Sequence, residues 1–329
     1  MKKFNSTIIV ILLIAGISGC KKEYKTVTKV NPDGSCERTV IARVDSSGLK
    51  DVSFPFPQDS SWNVEFKLME GDTQKVFVAR KTFDDVNAID NNIAGDGKIS
   101  TTLNLEKNFR WFFTYLRYTE TYKSYNRFNR IALKDFLSSA DYALYEAGDT
   151  SGYLSDKLDS YFEENLFQEF FSQLMNEIGK LNDPLITEDL FDKRKNELKD
   201  SLLAGPGDTQ SIMRSIKNIY KITRVEYLSA AIERIMQNIN NGLEFMGGAD
   251  GDYINEVIMP GIILNTNADA LEGNKAGWKF NEKRFFYSDF SMTIESRIIN
   301  MWAIYITAGF VLLIVLLLLT PRLKKSGSR

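Results

Sequence analysis

Hydrophobic and polar positions change period twice along the chain. From Tyr24 to Lys81 they alternate, from Ile131 to Phe245 they recur every three to four residues, and beyond Pro260 the alternation returns. Alternation puts successive side chains on opposite sheet faces, and a four-residue recurrence draws a stripe along a helix. Tyr24 to Val30 and Cys36 to Val44 flank Asn31-Pro32-Asp33-Gly34-Ser35 and predict a β-hairpin. Trp62, Val64, Phe66 and Leu68 alternate with polar residues, and Gly71-Asp72 turns this strand into Lys75 to Lys81. Ser46 to Ser61, with Pro55 and Pro57, reads as a loop, as does Asp90 to Gly97, where Thr101 stands in the position a calcium loop needs for its closing glutamate.

Leu103 to Tyr122 reads as one aromatic strand, with Phe109, Trp111, Phe113 and Tyr115 on one face and Phe112, Leu116 and Tyr118 on the other. Such a strand is either covered on both sides by its own protein or lines an apolar cavity with one face. The helical middle predicts a short helix capped by Ser138 or Ser139 and reaching Glu146, then helices over Tyr153 to Leu181, Glu188 to Leu203 and Thr209 to Asn240. Trp278 with Phe280, and Phe290, Met292 and Ile294, are strand runs again. The fold class is α+β: one antiparallel sheet built from N- and C-terminal strands, with a large helical insertion over about 131–245.

Both ends carry membrane signals. Lys2, Lys3 and the apolar run Ile8 to Ile17 have the layout of a secretory signal over residues 1–20. Its end, Ile17-Ser18-Gly19-Cys20, resembles the bacterial lipobox, which implies cleavage between Gly19 and Cys20 and a diacylglyceryl group on Cys20, with palmitate among its chains. Residues 298–320 carry no charge, and Met301 to Thr320 alone spans about 30 Å as a helix, the thickness of the hydrocarbon core. Trp302 and Tyr305 sit where interfacial rings are favoured, and the tail, residues 321–329, is basic without an acid. This predicts a single-pass protein of the bacterial inner membrane, with a cytoplasmic C-terminus and residues 21–297 as a periplasmic domain.

Composition narrows the chemistry. Setting aside Lys2, Lys3, Arg322, Lys324, Lys325 and Arg329 leaves 35 basic against 43 acidic residues, a formal charge of −8 that argues against nucleic acid as a partner. The chain has no histidine, which removes imidazole general bases, Ser-His-Asp and Cys-His sites and imidazole metal ligation. With Cys20 acylated, Cys36 has no partner for a disulfide and is either a buried small hydrophobe or an intermolecular or reactive thiol. No metal site, cofactor or catalytic residue is expected. Glu120, among Tyr118, Thr119, Thr121 and Tyr122, reads as a rim glutamate on a strand end, or as a carboxyl with a raised pKa if buried.

The order of lipobox, Asp33-Gly34-Ser35 turn, antiparallel strands, Asn265-Thr266-Asn267-Ala268 and Trp278 before a terminal helix with a basic tail is similar to the LppM-like family of bacterial membrane-tethered lipoproteins. The resemblance covers roughly Lys21 to Val44 and Pro260 to Arg329. It implies an exported β-rich domain that binds amphiphilic lipids or glycolipids, and the helical block departs from it. Two functions stay open: an interaction, scaffold or assembly component that contacts other envelope proteins, and a lipid- or glycolipid-binding domain whose apolar cavity is lined by Phe109, Trp111, Phe113 and Tyr115.

Overall fold

A computed structural model describes residues 23–44, 60–68, 75–89, 99–149, 151–181, 187–222, 225–246 and 251–326. The expected signal segment with Gly19 and Cys20, the turn at Asp90 to Gly97 and most of the loop around Pro55 and Pro57 lie outside the described residues. The protein mixes helix and sheet and divides into two compact units.

One unit, Lys21–Lys123 with Gly251–Glu282 and Asp289–Arg329, holds all the strands found among the described residues. These are β1 (Glu23–Val30), β2 (Cys36–Val44), β3 (Asn63–Leu68), β4 (Lys75–Phe83), β5 (Thr101–Phe109), β6 (Phe113–Tyr122), β7 (Asp252–Ile258), β8 (Ile262–Thr266), β9 (Ala270–Glu272), β10 (Lys275–Asn281) and β11 (Phe290–Ile299). They form two sheets, ordered β3-β4-β2-β1-β7-β10-β9 and β5-β6-β11-β8. The expectation of a single antiparallel sheet joining first and last strands is therefore corrected. β1 pairs in parallel with β7, and β11 lies in the other sheet beside β6.

Local chemistry explains the first hairpin. The Asn31 amide donates to the Ser35 carbonyl at 2.8 Å, Gly34 takes φ +93°, and the Asp33 carboxylate accepts from the Ser35 amide and hydroxyl at 3.0 and 2.7 Å. The exposed edge of β5 is blunted by one side chain: Asn87, in a 3-10 turn over Val86–Ala88, accepts from the Leu105 amide at 2.8 Å and donates to its carbonyl. The space between the sheets is filled by rings. Tyr122 lies edge-on to Tyr253 and Phe280, and Phe280 meets Phe290 with centroids 4.8 Å apart.

Cys36 is fully buried at the start of β2, and burial pushes its thiol up to about 11. A thiol reagent at pH 8 is therefore expected to leave Cys36 of the native protein unmodified. After unfolding in guanidinium, one thiol per chain reacts if Cys20 is acylated and two if it is not.

The other unit spans Ser124–Asp250 and Lys283–Ser288. Its helices are α1 (Leu133–Phe136), α2 (Ser139–Glu146), α3 (Gly152–Leu181), α4 (Glu188–Lys193), α5 (Lys195–Ala204), α6 (Thr209–Tyr220), α7 (Ser229–Met246) and α8 (Lys283–Phe286). Ser138 caps α2 by accepting from the Asp141 amide. Two helices that read as continuous are broken, at Arg194 and at Lys221, the latter in the left-handed region with φ 57°. Leu133, Leu137, Tyr145, Leu154 and Tyr161 form one buried cluster. Asn165, fully buried on α3, accepts from the Ile131 amide at 2.8 Å and so ties the preceding segment to the long helix.

The chain ends in α9 (Met301–Ser326), whose stretch Met301–Leu319 has mean hydropathy 2.7 and is long and apolar enough to cross a membrane. The expected span began at Ile298; Ile298 and Ile299 instead belong to β11, so strand passes to helix through Asn300 alone.

Candidate functional site

The aromatic stretch expected to be one strand is a hairpin. Arg110 and Phe113 exchange backbone hydrogen bonds at 2.7 and 3.1 Å, leaving Trp111-Phe112 as a two-residue loop between β5 and β6. Two-residue hairpin loops favour Gly and Asn because their usual geometries need positive φ. Among the described residues Lys221 is the non-glycine residue with positive φ, so this loop is closed by two large aromatics without any left-handed residue. Phe109, Trp111 and Phe112 are 57%, 48% and 41% exposed.

Asn300 fixes this tip against the start of α9. Its amide donates to the Phe112 carbonyl at 2.9 Å, its Nδ2 donates to the carbonyls of Arg110 at 2.9 Å and Trp111 at 3.3 Å, and its Oδ1 accepts from the Thr114 hydroxyl at 3.0 Å. The Asn300 carbonyl takes the first helical bonds, from the amides of Ala303 and Ile304. Trp302 on α9 then stacks on Phe109 at 6.1 Å and meets the edge of Trp111 at 5.4 Å. Trp111 Nε1 donates to the Thr307 hydroxyl at 2.9 Å, and that hydroxyl donates to the Ala303 carbonyl at 2.7 Å.

The four residues expected to share one strand face are thus divided. Phe109 and Trp111 stand on the surface at the tip. Phe113 and Tyr115 lie half-buried on the outer face of β6, opposite Ile299 and Arg297, with the Arg297 guanidinium 4.6 Å above the Phe113 ring. Two hollows stand out among the described residues. One of about 190 Å³ is lined by Gln173, Glu177, Arg234 and Asn238, and one of about 360 Å³ by Glu37, Asn63, Arg80 and Lys81. Both open to solvent, Ala231 and Ile235 give the first an apolar floor, and none of the four aromatics lines either.

Glu120 is not at a rim. It is fully buried on the inner face of β6, where Arg38 of β2 donates to it at 2.6 Å across the two sheets. Tyr118 donates to its other oxygen at 2.7 Å and Asn255 of β7 at 2.9 Å, while Arg38 also donates to Thr28 at 3.0 Å. Burial by itself pushes the Glu120 carboxyl up, but the Arg38 charge and the three donated bonds hold it below the usual carboxylate range, opposite to the rise that burial alone would give. An ionised carboxylate saturated with donors and sealed from solvent joins sheets; it has no room for a substrate. Among the described residues no three acidic or cysteine side chains gather where they could hold a metal ion.

Sequence reasoning missed Asn300 and Thr307, which are ordinary polar residues until the fold sets them beside the tip. No family model matches the chain, and no curated protein matches it. Among solved structures, the folded domain of LppM from Mycobacterium tuberculosis is similar at 10% identity and a TM-score of 0.33, over 86% of this chain and 92% of that one, a weak structural resemblance only.

Proposed function

We propose that this protein is a double-anchored lipoprotein of the bacterial inner membrane, held by an acylated Cys20 and by α9, whose exported domain is a non-catalytic interaction or scaffold component of the envelope. The observation that carries the reading is the junction at Asn300. A sheet continues into an apolar helix through one residue, and all of that residue's side-chain polar atoms are bonded to the β5–β6 tip. A domain joined this stiffly to its anchor keeps a set height and orientation over the bilayer, which suits the holding of a protein partner and does not suit a carrier that must swing or dip for cargo. The two hollows open to solvent away from Phe109, Trp111, Phe113 and Tyr115, so they lend little support to the alternative, an amphiphile in a cavity lined by those rings. The basic tail supports a cytoplasmic C-terminus.

Native mass spectrometry of the full chain, released from membranes in detergent, tests this reading. The expected mass is that of the chain cleaved before Cys20 with its acyl groups and nothing further. A phospholipid or glycolipid retained at one per chain would overturn the reading in favour of lipid handling.

A further inference from the structure

We propose that the tip of the β5–β6 hairpin is a bilayer-binding site: Phe109, Trp111 and Phe112 enter the leaflet beside the first two turns of α9. This rests on the reading of α9 as a membrane span.

Length supplies the first argument. Met301–Leu319 is 19 residues, about 28 Å of helix at ~1.5 Å per residue, against a hydrocarbon core of about 30 Å. Those residues leave nothing to spare, so the apolar boundary lies near Met301. Thr307 is then about 9 Å further in, at six residues of ~1.5 Å each. Trp111 is hydrogen-bonded to Thr307, so its indole sits at that depth, beside the helix and not above the membrane.

Polar bookkeeping agrees with the depth for the indole and the turn carbonyls, while the amides of Trp111 and Phe112 have no acceptor in the hairpin and belong at the headgroup level beside Asn300. A group lowered into lipid must have its donors satisfied internally. The indole N–H is taken by Thr307, the Thr307 hydroxyl proton by the Ala303 carbonyl, and the carbonyls at the turn, Arg110, Trp111 and Phe112, each accept from Asn300. A turn of Trp-Phe in water would expose two large rings with no gain, and a polar or glycine-containing loop would close the same hairpin more readily. The rings instead continue the apolar surface of α9, where Trp302 and Tyr305 are 48% and 67% exposed. Arg110 sits in the same turn with its side chain exposed, and its length allows the guanidinium to reach back to lipid phosphates.

The test uses the full chain in vesicles of three parts phosphatidylcholine to one part phosphatidylglycerol, with the phosphatidylcholine brominated at acyl carbons 6 and 7. The chain has four tryptophans, of which Trp62 and Trp278 are buried in the strand unit. Bromolipid is expected to quench Trp111 and Trp302, so that Trp111→Phe removes about half of the quenchable emission. Quenching that survives Trp111→Phe unchanged but is lost in Trp302→Phe would overturn the proposal while leaving the span intact. No quenching in either, with release of the protein by alkaline carbonate, would overturn the span and the proposal together. A second readout needs no tryptophan change: a bimane on Phe112→Cys, with Cys36 buried, is expected to be shielded from aqueous iodide in vesicles. Free access of iodide to that dye would count against the site even if the tryptophan variants fold poorly.

Discussion

Arg38→Met is expected to destabilise the strand unit by about 3–5 kcal/mol, the usual cost of leaving one member of a buried ion pair without the other. The loss is large because Glu120 is fully sealed and its remaining donors, Tyr118 and Asn255, are neutral. Adding Glu120→Gln to Arg38→Met removes the stranded charge while keeping an oxygen for Tyr118 and Asn255, and is expected to restore about 2 kcal/mol. Denaturant unfolding of the full chain in detergent, followed by the emission of buried Trp62 and Trp278, measures both. If the double variant proved less stable than Arg38→Met alone, the charge on Glu120 would not be the source of the loss.

The pH dependence gives an independent check because its sign reverses. In the native protein the folded pKa of Glu120 is depressed, so its contribution is fully present above the ordinary glutamate range and is lost as pH falls through the folded value. In Arg38→Met the same carboxyl keeps the burial and loses the cation, so its folded pKa rises. A raised pKa contributes stability that is present at low pH and lost as pH climbs through the folded value. Native stability should therefore fall on acidification below the ordinary glutamate range, while that of Arg38→Met rises as the pH falls toward that range. Parallel slopes for the two proteins would rule out Glu120 as the titrating group. Burial and the Glu120 charge push Tyr118 upward, so this site adds nothing to the acid limb.

The elements that could be read in the sequence are those whose signals are local. The β1–β2 turn is spelled out by Pro32, Asp33 and Gly34, α3 by its wide apolar stripe, and α9 by the lack of charge. The failures come where distant contacts replace local rules. β7 is hidden because its inner face carries Asn255 between Tyr253 and Val257, and that asparagine makes sense only beside Glu120, 135 residues earlier. Glu120 looks like a rim residue because its cation is Arg38, 82 positions away. The Trp111-Phe112 turn carries none of the usual turn residues, so the aromatic run reads as one strand. Its partner Thr307 lies 196 residues further on. Phe109 and Trp111 were visible as unusual side chains, but their environment was not, since an interior and a lipid face select the same residues.

Gly261→Ala is expected to be the most damaging added methyl among the described glycines of the strand unit. Gly261 joins β7 to β8 at φ +80°, where an L side chain costs about 1–2 kcal/mol. A Cβ there also meets backbone: the Arg297 carbonyl oxygen at 2.2 Å and carbon at 2.9 Å, with Ile298 Cα at 3.3 Å. Backbone cannot rotate away as a side-chain end does, so β11 must shift, adding about 1–3 kcal/mol. Gly273 provides the control within the same unit: it has φ +62°, and nothing lies within 4 Å of its added Cβ, so Gly273→Ala carries the conformational cost alone. At ~2–4 °C per kcal/mol for a unit of this size, the midpoint should drop about 10 °C for Gly261→Ala and about 4 °C for Gly273→Ala. Equal drops would mean that β11 gives way freely at Arg297. That outcome would bear on the anchor too, because Arg297 stands three residues before Asn300, and a strand that yields there could not hold the domain at a set height over the membrane.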